Sequence, residues 1–387
     1  MKLFVPPEDA RLWQPLRSAD AGEYFVTFKS VTQLSEADRS QWAQLTRRAG
    51  ADTIFAADWF MASALRHCAS RLPVRLAIVR AHDGAWIGVL PITFEGFFGR
   101  CPLPGWHGWH CTNQFDGSPL IERGAEHLFW HCLLAELDRK PGAALALCCE
   151  TLPVDAPATR ALAEVCLAEG RPLHEARRFA RPMRRPGAVA EGAAAARRKL
   201  DKRLDGLTRK LAREVGEPQV TILPREADPA AWTTQFLALE KSGWKGAGGS
   251  ALASKPGTAG LFREVIRIAH QQGAVRLMSL EAGGTVIAMT CWLVGDRLAY
   301  GFKMAFAQSF ASYAPGRLLM RAVADEAAAA TPHLAFDTCA RPDAPADPLW
   351  PDKREFADLA ISIGSGSRRA VFASAVKASA LWRSRFG

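Results

Sequence analysis

Residues 299–328 read AYGFKMAFAQSFASYAPGRLLMRAVADEAA. An apolar alternating run around Lys303 predicts a strand. A polar loop follows, and an apolar helical run begins at Pro315-Gly316-Arg317. Proline suits a first helical turn, where its missing N–H removes nothing. A helix start presents free N–H groups and positive partial charge, and Arg317 adds a formal charge. The stretch SYAPGRLLM is therefore read in two ways, as a loop turning into a helix or as an anion seat. It contains no G-x4-G-K-S/T.

Upstream, LEKSGWKGAGGSAL (239–252) ends a helix carrying Trp232, Phe236 and Leu239 and enters a glycine-rich loop at Trp244-Lys245. Glycines allow close backbone approach, and Lys245 can meet a phosphate. A helix C-cap with a flexible loop reads equally well. Downstream, HLAFDTCARPDAPADPLWPDKREF (333–356) predicts a strand ending at Asp337, then a Pro-rich loop with Trp350, Lys353 and Arg354. Asp337 at a strand end reads as an acid/base group or as the cap of the next turn.

Working outward, two halves repeat one order of elements. In the first, ADWFMASALRHCASR predicts a helix, followed by strands at 74–80 and 86–94 around His82-Asp83-Gly84. In the second, TAGLFREVIRIAHQQG predicts a helix ending at Gly273. Three strands then turn at Gly283-Gly284 and Gly295-Asp296. This is the pattern of an internal duplication. Between the halves, AEGAAAARRKLDKRLDGLTRKLAREVGE predicts a long basic helix with Leu200, Leu204, Leu207 and Leu211 on one stripe. It lacks the aromatic residues that stack on bases, so nucleic acid is not expected as a partner.

The 387 residues are enough for two domains, and about half are hydrophobic. No apolar run reaches the length of a membrane span. MKLFVPPEDARLW lacks the apolar core of a signal peptide, and a cytoplasmic location is expected. Nine cysteines, an odd number without regular spacing, argue for reduced thiols. Cys101, His107, His110 and Cys111 form no standard zinc spacing, so no metal is expected. The net charge of +10 favours polyanionic partners. From Arg171 to Arg213 there are fourteen Lys/Arg against four Asp/Glu. The tail SRRAVFASAVKASALWRSRFG predicts a helix with Val371, Ala375, Ala378, Trp382 and Phe386 on one stripe. That stripe either packs on the protein or lies on an anionic membrane, making the protein peripheral to its inner face.

Taken together in order, these motifs resemble the GNAT acyltransferase superfamily, and within it the CelD-like branch of cellulose biosynthesis. Glu240, Gly243, Trp244, Lys245, Gly246, Lys303, Tyr313, Pro315, Gly316, Leu318 and Leu319 carry the resemblance. FAADWFMAS, WIGVLPI and NQFDGSPLI resemble the family's N-terminal half. The resemblance implies an α/β (α+β mixed-sheet) fold of two tandem GNAT-like domains in a FemABX-like arrangement. The expected boundaries are 1–180, a basic helical linker 181–216, a transferase domain 217–365, and the helix 366–387. No permanently bound cofactor is implied; acyl-CoA or acetyl-CoA would be a cosubstrate and a primary amine the acceptor.

On that resemblance Lys303, Pro315, Gly316, Arg317 and Leu318 would hold the donor, its pyrophosphate on the helix start. Trp244, Lys245, Trp350, Arg354 and Asn113 would contact substrate. Asp337 and Glu240 are the candidate bases and Tyr313 the candidate acid, Glu240 reading equally as half of a helix-end salt bridge with a nearby lysine; an N–H on a splayed strand around 288–293 would meet the oxyanion. The sequence departs from the R/Q-x-x-G-x-G/A phosphate motif in having one glycine. The loop after Asp337 resembles GNAT proteins of lipid amine acylation, including bacterial ceramide synthases. The acceptor expected is an envelope-related amine, a sphingoid base or an amino sugar. The rival readings are an exopolysaccharide-precursor N-acetyltransferase, an aminoacyl-tRNA-dependent transferase and a non-catalytic scaffold. Cys291 and Cys339 read as inert core thiols rather than as acyl-enzyme nucleophiles.

Overall fold

Glycine turns set the framework. Gly84 (φ 89°), Gly283 (φ 56°) and Gly284 (φ 72°) occupy the left-handed region that closes tight hairpins. The computed structural model describes residues 24–49, 54–69, 73–187 and 191–386, and the side chains among these up to 378 apart from that of residue 191. The sequence reading of MKLFVPPEDARLW lies outside the described residues.

The chain divides into two units, one running to Phe179 and resuming at Glu355, the other spanning Ala180–Arg354. The first contains β1 (Tyr24–Lys29), α1 (Glu36–Ala49), α2 (Asp58–Cys68), β2 (Arg75–Ala81), β3 (Trp86–Glu95), β4 (Gly105–Gly108), β5 (Leu120–Ile121), α3 (Glu126–Arg139), β6 (Ala146–Pro153), α4 (Pro157–Ala168) and β7 (Leu173–Arg184), whose last residues belong to the second unit. The second contains α5 (Glu191–Glu214), β8 (Gln219–Ile222), α6 (Pro229–Ser242), α7 (Trp244–Ala247), α8 (Pro256–Gln271), β9 (Val275–Ala282), β10 (Thr285–Val294), β11 (Leu298–Phe306), α9 (Pro315–Ala330) and β12 (Ala335–Asp337). The chain then returns to the first unit through β13 (Asp352–Ser362) and α10 (Gly366–Phe386).

Each unit repeats strand, helices, a three-stranded antiparallel meander, a helix, and a strand parallel to the last meander strand. In the first unit β4 and β6 pair in parallel at Gly105↔Ala146, Trp106↔Leu147 and His107↔Cys148. In the second, β11 and β12 pair at Leu298↔Ala335, Ala299↔Phe336 and Tyr300↔Asp337. The order within the first is β1-β2-β3-β4-β6-β13-β7, and within the second the end of β7, then β12-β11-β10-β9-β8.

The second unit ends at Arg354, and beyond it Phe356, Leu359 and Ile361 of β13 bury against the first unit's strands. The basic segment packs its leucine stripe: α5 buries Leu204 and Leu211 in the second unit's core with Leu280, Leu319 and Val323. Each buried leucine contributes about 1.5–3 kcal/mol. The tail helix does not present the expected stripe. It turns Phe372 and Val376 into a first-unit cluster with Phe98 and Leu103, and leaves Val371 exposed. Arg368 donates to the carbonyls of Gly142 and Ala144, and Arg369 to Asp138, so these cations serve the fold. The side chains of Trp382 and Phe386 lie outside those described. No helix among the described residues is long and apolar enough to cross a membrane.

Candidate acyl-transfer site

The parallel pairing of β11 and β12 ends after three residue pairs. Beyond Tyr300, β11 continues to Phe306 while the chain after Asp337 turns into an irregular loop. Gly301 sits at the parting, where a Cβ would lie 2.8 Å from the Thr338 carbonyl. Thr338 donates its hydroxyl to the Pro182 carbonyl at 2.7 Å. A cavity of about 550 Å³ opens here, entirely within the second unit. Trp292, Met304, Met320, Val323, Phe336 and Trp350 give it apolar walls, and Lys303, Arg317 and Asp347 supply its charge.

The loop is pinned, although two non-glycine residues, Cys339 (φ 50°) and Asp343 (φ 55°), are left-handed. Such residues cost about 1–2 kcal/mol each. Asp337 accepts the Cys339 N–H at 2.8 Å; the Asp343 N–H donates to the Ala180 carbonyl, and the Asp343 carboxylate accepts the Ala180 N–H. Asp347 accepts the Leu349 N–H at 3.0 Å and a two-pronged pair from Arg317. Trp350 stacks on Phe336 with centroids 4.4 Å apart and forms a buried wall of the cavity.

Glu240 and Lys245 form the helix-end salt bridge that was the second reading of Glu240. Glu240 is buried and accepts Lys245 Nζ at 2.9 Å on one oxygen and the Leu252 N–H at 2.7 Å on the other. Lys245 Nζ also donates to the Met304 carbonyl at 2.8 Å. This chain of bonds ties α6 and α7 to β11, and both carboxylate oxygens are engaged. The glycine-rich segment is therefore ordered: α7 begins at Trp244. Gly246 is obligatory there, since a Cβ would lie 1.7 Å from the Lys241 carbonyl. Trp244 stays 61% exposed, with Lys245 Nζ 5.9 Å from its ring.

The start of α9 is a poorer anion seat than its sequence promised. Pro315 has no N–H, and the Arg317 and Leu318 N–H groups both turn back to the Ala314 carbonyl, at 2.8 and 3.1 Å. Gly316 is buried under Met304 and Phe306, so its missing side chain brings the helix onto β11 rather than clearing a path for a ligand. The Arg317 charge is met by Asp347, and the Leu318 side chain is in the core. Tyr313 is also turned elsewhere. Its hydroxyl donates to Glu214 at 3.0 Å and Lys210 Nζ stands 5.2 Å above its ring. That hydrogen bond holds Glu214 below the usual carboxylate range and pushes the phenol up, which does not suit a proton donor.

Asp337 is fully buried at the end of β12, with Oδ2 3.5 Å from Arg354 Nη1. Arg354 and Arg181 are buried as well. Asn113 lies in the first unit, buried, with no acceptor for Nδ2 among the described residues. β10 is paired along both edges, with a bulge at Cys291/Trp292, so the parting of strands lies at β11 and not at 288–293. Burial pushes the Cys291 thiol up to about 12, and burial with the Asp337 charge raises Cys339 well above its usual value. Neither is a ready thiolate. Cys101 and Cys111 face different neighbours: Cys101 Sγ points to the Ala375 carbonyl, and Cys111 hydrogen bonds with Cys68.

A three-stranded meander, a helix and a strand parallel to the third meander strand, present twice in one chain, is the tandem GNAT-like fold. Residues 196–344, less than half of the chain, match the model of the acetyltransferase (GNAT) domain family. A conserved protein of unknown function from Bacteroides thetaiotaomicron VPI-5482 has a similar fold, at TM-score 0.50 and 13% identity over 87% of this chain and 100% of that one. FemX is similar at TM-score 0.50 and 10% identity, over 87% of this chain and 97% of that one. No curated protein matches the chain in sequence. The second unit thus matches a GNAT acetyltransferase domain, and the chain as a whole has the tandem GNAT-like fold.

Proposed function

We propose that the second unit is an N-acyltransferase, moving an acyl group from a pantetheine thioester, such as acyl-CoA or acetyl-CoA, to a primary amine. The observation that carries this reading is the open edge of β11 beyond Tyr300, facing a cavity with apolar walls. A pantetheine arm carries two amides and pairs with such an edge as a strand would. A main-chain N–H of β11 past the parting is then available to the thioester oxygen. One such donor is worth about 2.7–4 kcal/mol when charge develops on that oxygen.

In the proposed step the amine nitrogen attacks the thioester carbon, the C–S bond breaks, and the thiolate takes up the proton that the nitrogen loses. Asp337 is the carboxylate at the parting and relays that proton. Arg354 orients it. Glu240 is a positioning residue, acting through Lys245 on the β11 edge. The acceptor has an apolar or sugar body, as in a sphingoid base or an envelope amino sugar, for which the exposed Trp244 ring offers a stacking face. The experiment is acyl transfer to a panel of such amines with wild type and Asp337→Asn. The variant is expected to lose about 100-fold in turnover with its affinity for the thioester within about twofold, because the side chain does not reach the arm. An unchanged rate removes Asp337 from the reaction, and no transfer to any amine contradicts the function.

A further inference from the structure

α5 has two faces. Leu200, Leu204, Leu207 and Leu211 face the second unit's core. Arg198, Lys202, Arg209 and Arg213 recur at i, i+4, i+11 and i+15, flanked by Lys199 and Arg203, and all six are exposed. At 3.6 residues per turn they fall within an arc of about 140° opposite the leucines. Arg213 pairs with Glu214; among the described residues the other five make no ion pair. The cations nearer the core are matched: Arg197 holds Asp201 and Asp325, and Arg321 holds Asp205. The unmatched charge is thus confined to the outer face.

This stripe leads to the site. At the C-terminal end of α5, Glu214 accepts the Tyr313 hydroxyl, two residues before α9 begins. There the seat for a free cofactor's diphosphate is weak: the Arg317 and Leu318 N–H groups are taken and Arg317 is paired with Asp347. Phosphate recognition ordinarily uses several free N–H groups at a helix start. The donor's binding charge is better met along α5 than at α9.

Resting on the acyl-transfer reading, we infer that the donor is presented by an acidic carrier protein bearing a phosphopantetheine arm, docked on the outer face of α5 with its arm in the β11 cavity. A surface of carboxylates matches a row of unpaired Lys and Arg, and such complementarity steers association. Two other polyanions fit less well. The stripe has no aromatic residue to stack on bases. Its leucines are committed to the core, so it has no apolar face to enter a lipid surface.

The test is binding to the full chain of a bacterial palmitoyl-loaded acyl carrier protein, palmitoyl-CoA, bulk tRNA, and vesicles of three parts phosphatidylglycerol to seven of phosphatidylcholine. Wild type is compared with Arg198→Glu/Lys202→Glu/Arg209→Glu, whose substitutions are exposed and leave the leucine face intact. The expected result is a loss of about tenfold or more in carrier-protein affinity, steepening as salt falls, with palmitoyl-CoA affinity within about twofold. Carrier affinity unchanged by the triple variant, or a stripe effect confined to tRNA or vesicles, overturns the inference. The outcomes separate from the function itself. Turnover with palmitoyl-CoA but no carrier binding leaves the acyl-transfer reading standing and removes only the carrier.

Discussion

Replacing Glu240 separates a structural carboxylate from a catalytic one. Its two oxygens accept Lys245 Nζ at 2.9 Å and the Leu252 N–H at 2.7 Å, and the side chain is 2% exposed. Glu240→Gln keeps the size and one acceptor, so it loses chiefly the charge assistance to Lys245, about 1–2 kcal/mol. Glu240→Ala leaves the Leu252 N–H and Lys245 without their acceptor and opens a gap, for about 3 kcal/mol in all. Urea unfolding, read by hydrogen exchange of the β11 amides, follows the second unit alone. Transfer by folded Glu240→Gln should fall by no more than about tenfold, because the residue acts through the β11 edge. A variant of wild-type stability that has lost about 1,000-fold in turnover would refute this reasoning, since the carboxylate would then be a base.

The first unit offers a pH test. Burial works to raise the Glu169 pKa, but hydrogen bonds from His131 and Arg171 outweigh it and the carboxyl ends below 4.5. Its contribution is therefore full above its unfolded pKa and fades as pH falls through the lowered folded value. Glu169→Gln should flatten that acid limb, and a wild-type slope below pH 4.5 would exclude the linkage. Arg171→Met, which removes the buried cation shared by Asp138 and Glu169 and leaves them only Arg369 and His131, should cost about 3 kcal/mol in urea unfolding. Among the cysteines, Cys68 should alkylate first, because a hydrogen bond from Cys111 lowers its pKa and it is partly exposed. Burial raises Cys149, Cys166 and Cys291 to about 12, and labelling of any of these before Cys68 would contradict the packing.

Much of the fold was legible because turn chemistry and apolar periodicity are local. The hairpin at Asp83-Gly84 and the meander turning at Gly283-Gly284 fall within a residue or two of their expected places. The basic helix and the strand ending at Asp337 were equally plain. The site was less so, because its residues act through long-range partners that spacing does not reveal. Glu240 read equally as a base and as half of a helix-end salt bridge, and spacing could not show that Lys245 and the Leu252 N–H engage both its oxygens. Gly316 looked like room for an anion, but the space above it holds Met304 and Phe306. Asp347 went unread although it closes the loop on Arg317, and Gly301 gave no signal beyond its being a glycine in a strand. That last pattern marks close backbone approach. The tail misled because Phe372 and Val371 are adjacent, and one position of helical phase decides which of them is buried.

The central claim is that a thioester arm lies along the open edge of β11. Hydrogen exchange on the full chain, with and without a non-hydrolysable acyl-pantetheine, tests it most directly, since the arm is common to every donor considered. Slowed exchange is expected at 301–304 and across the 338–350 loop, the segments whose residues line the 550 Å³ cavity. Protection absent from both segments, or confined to the first unit, would contradict it.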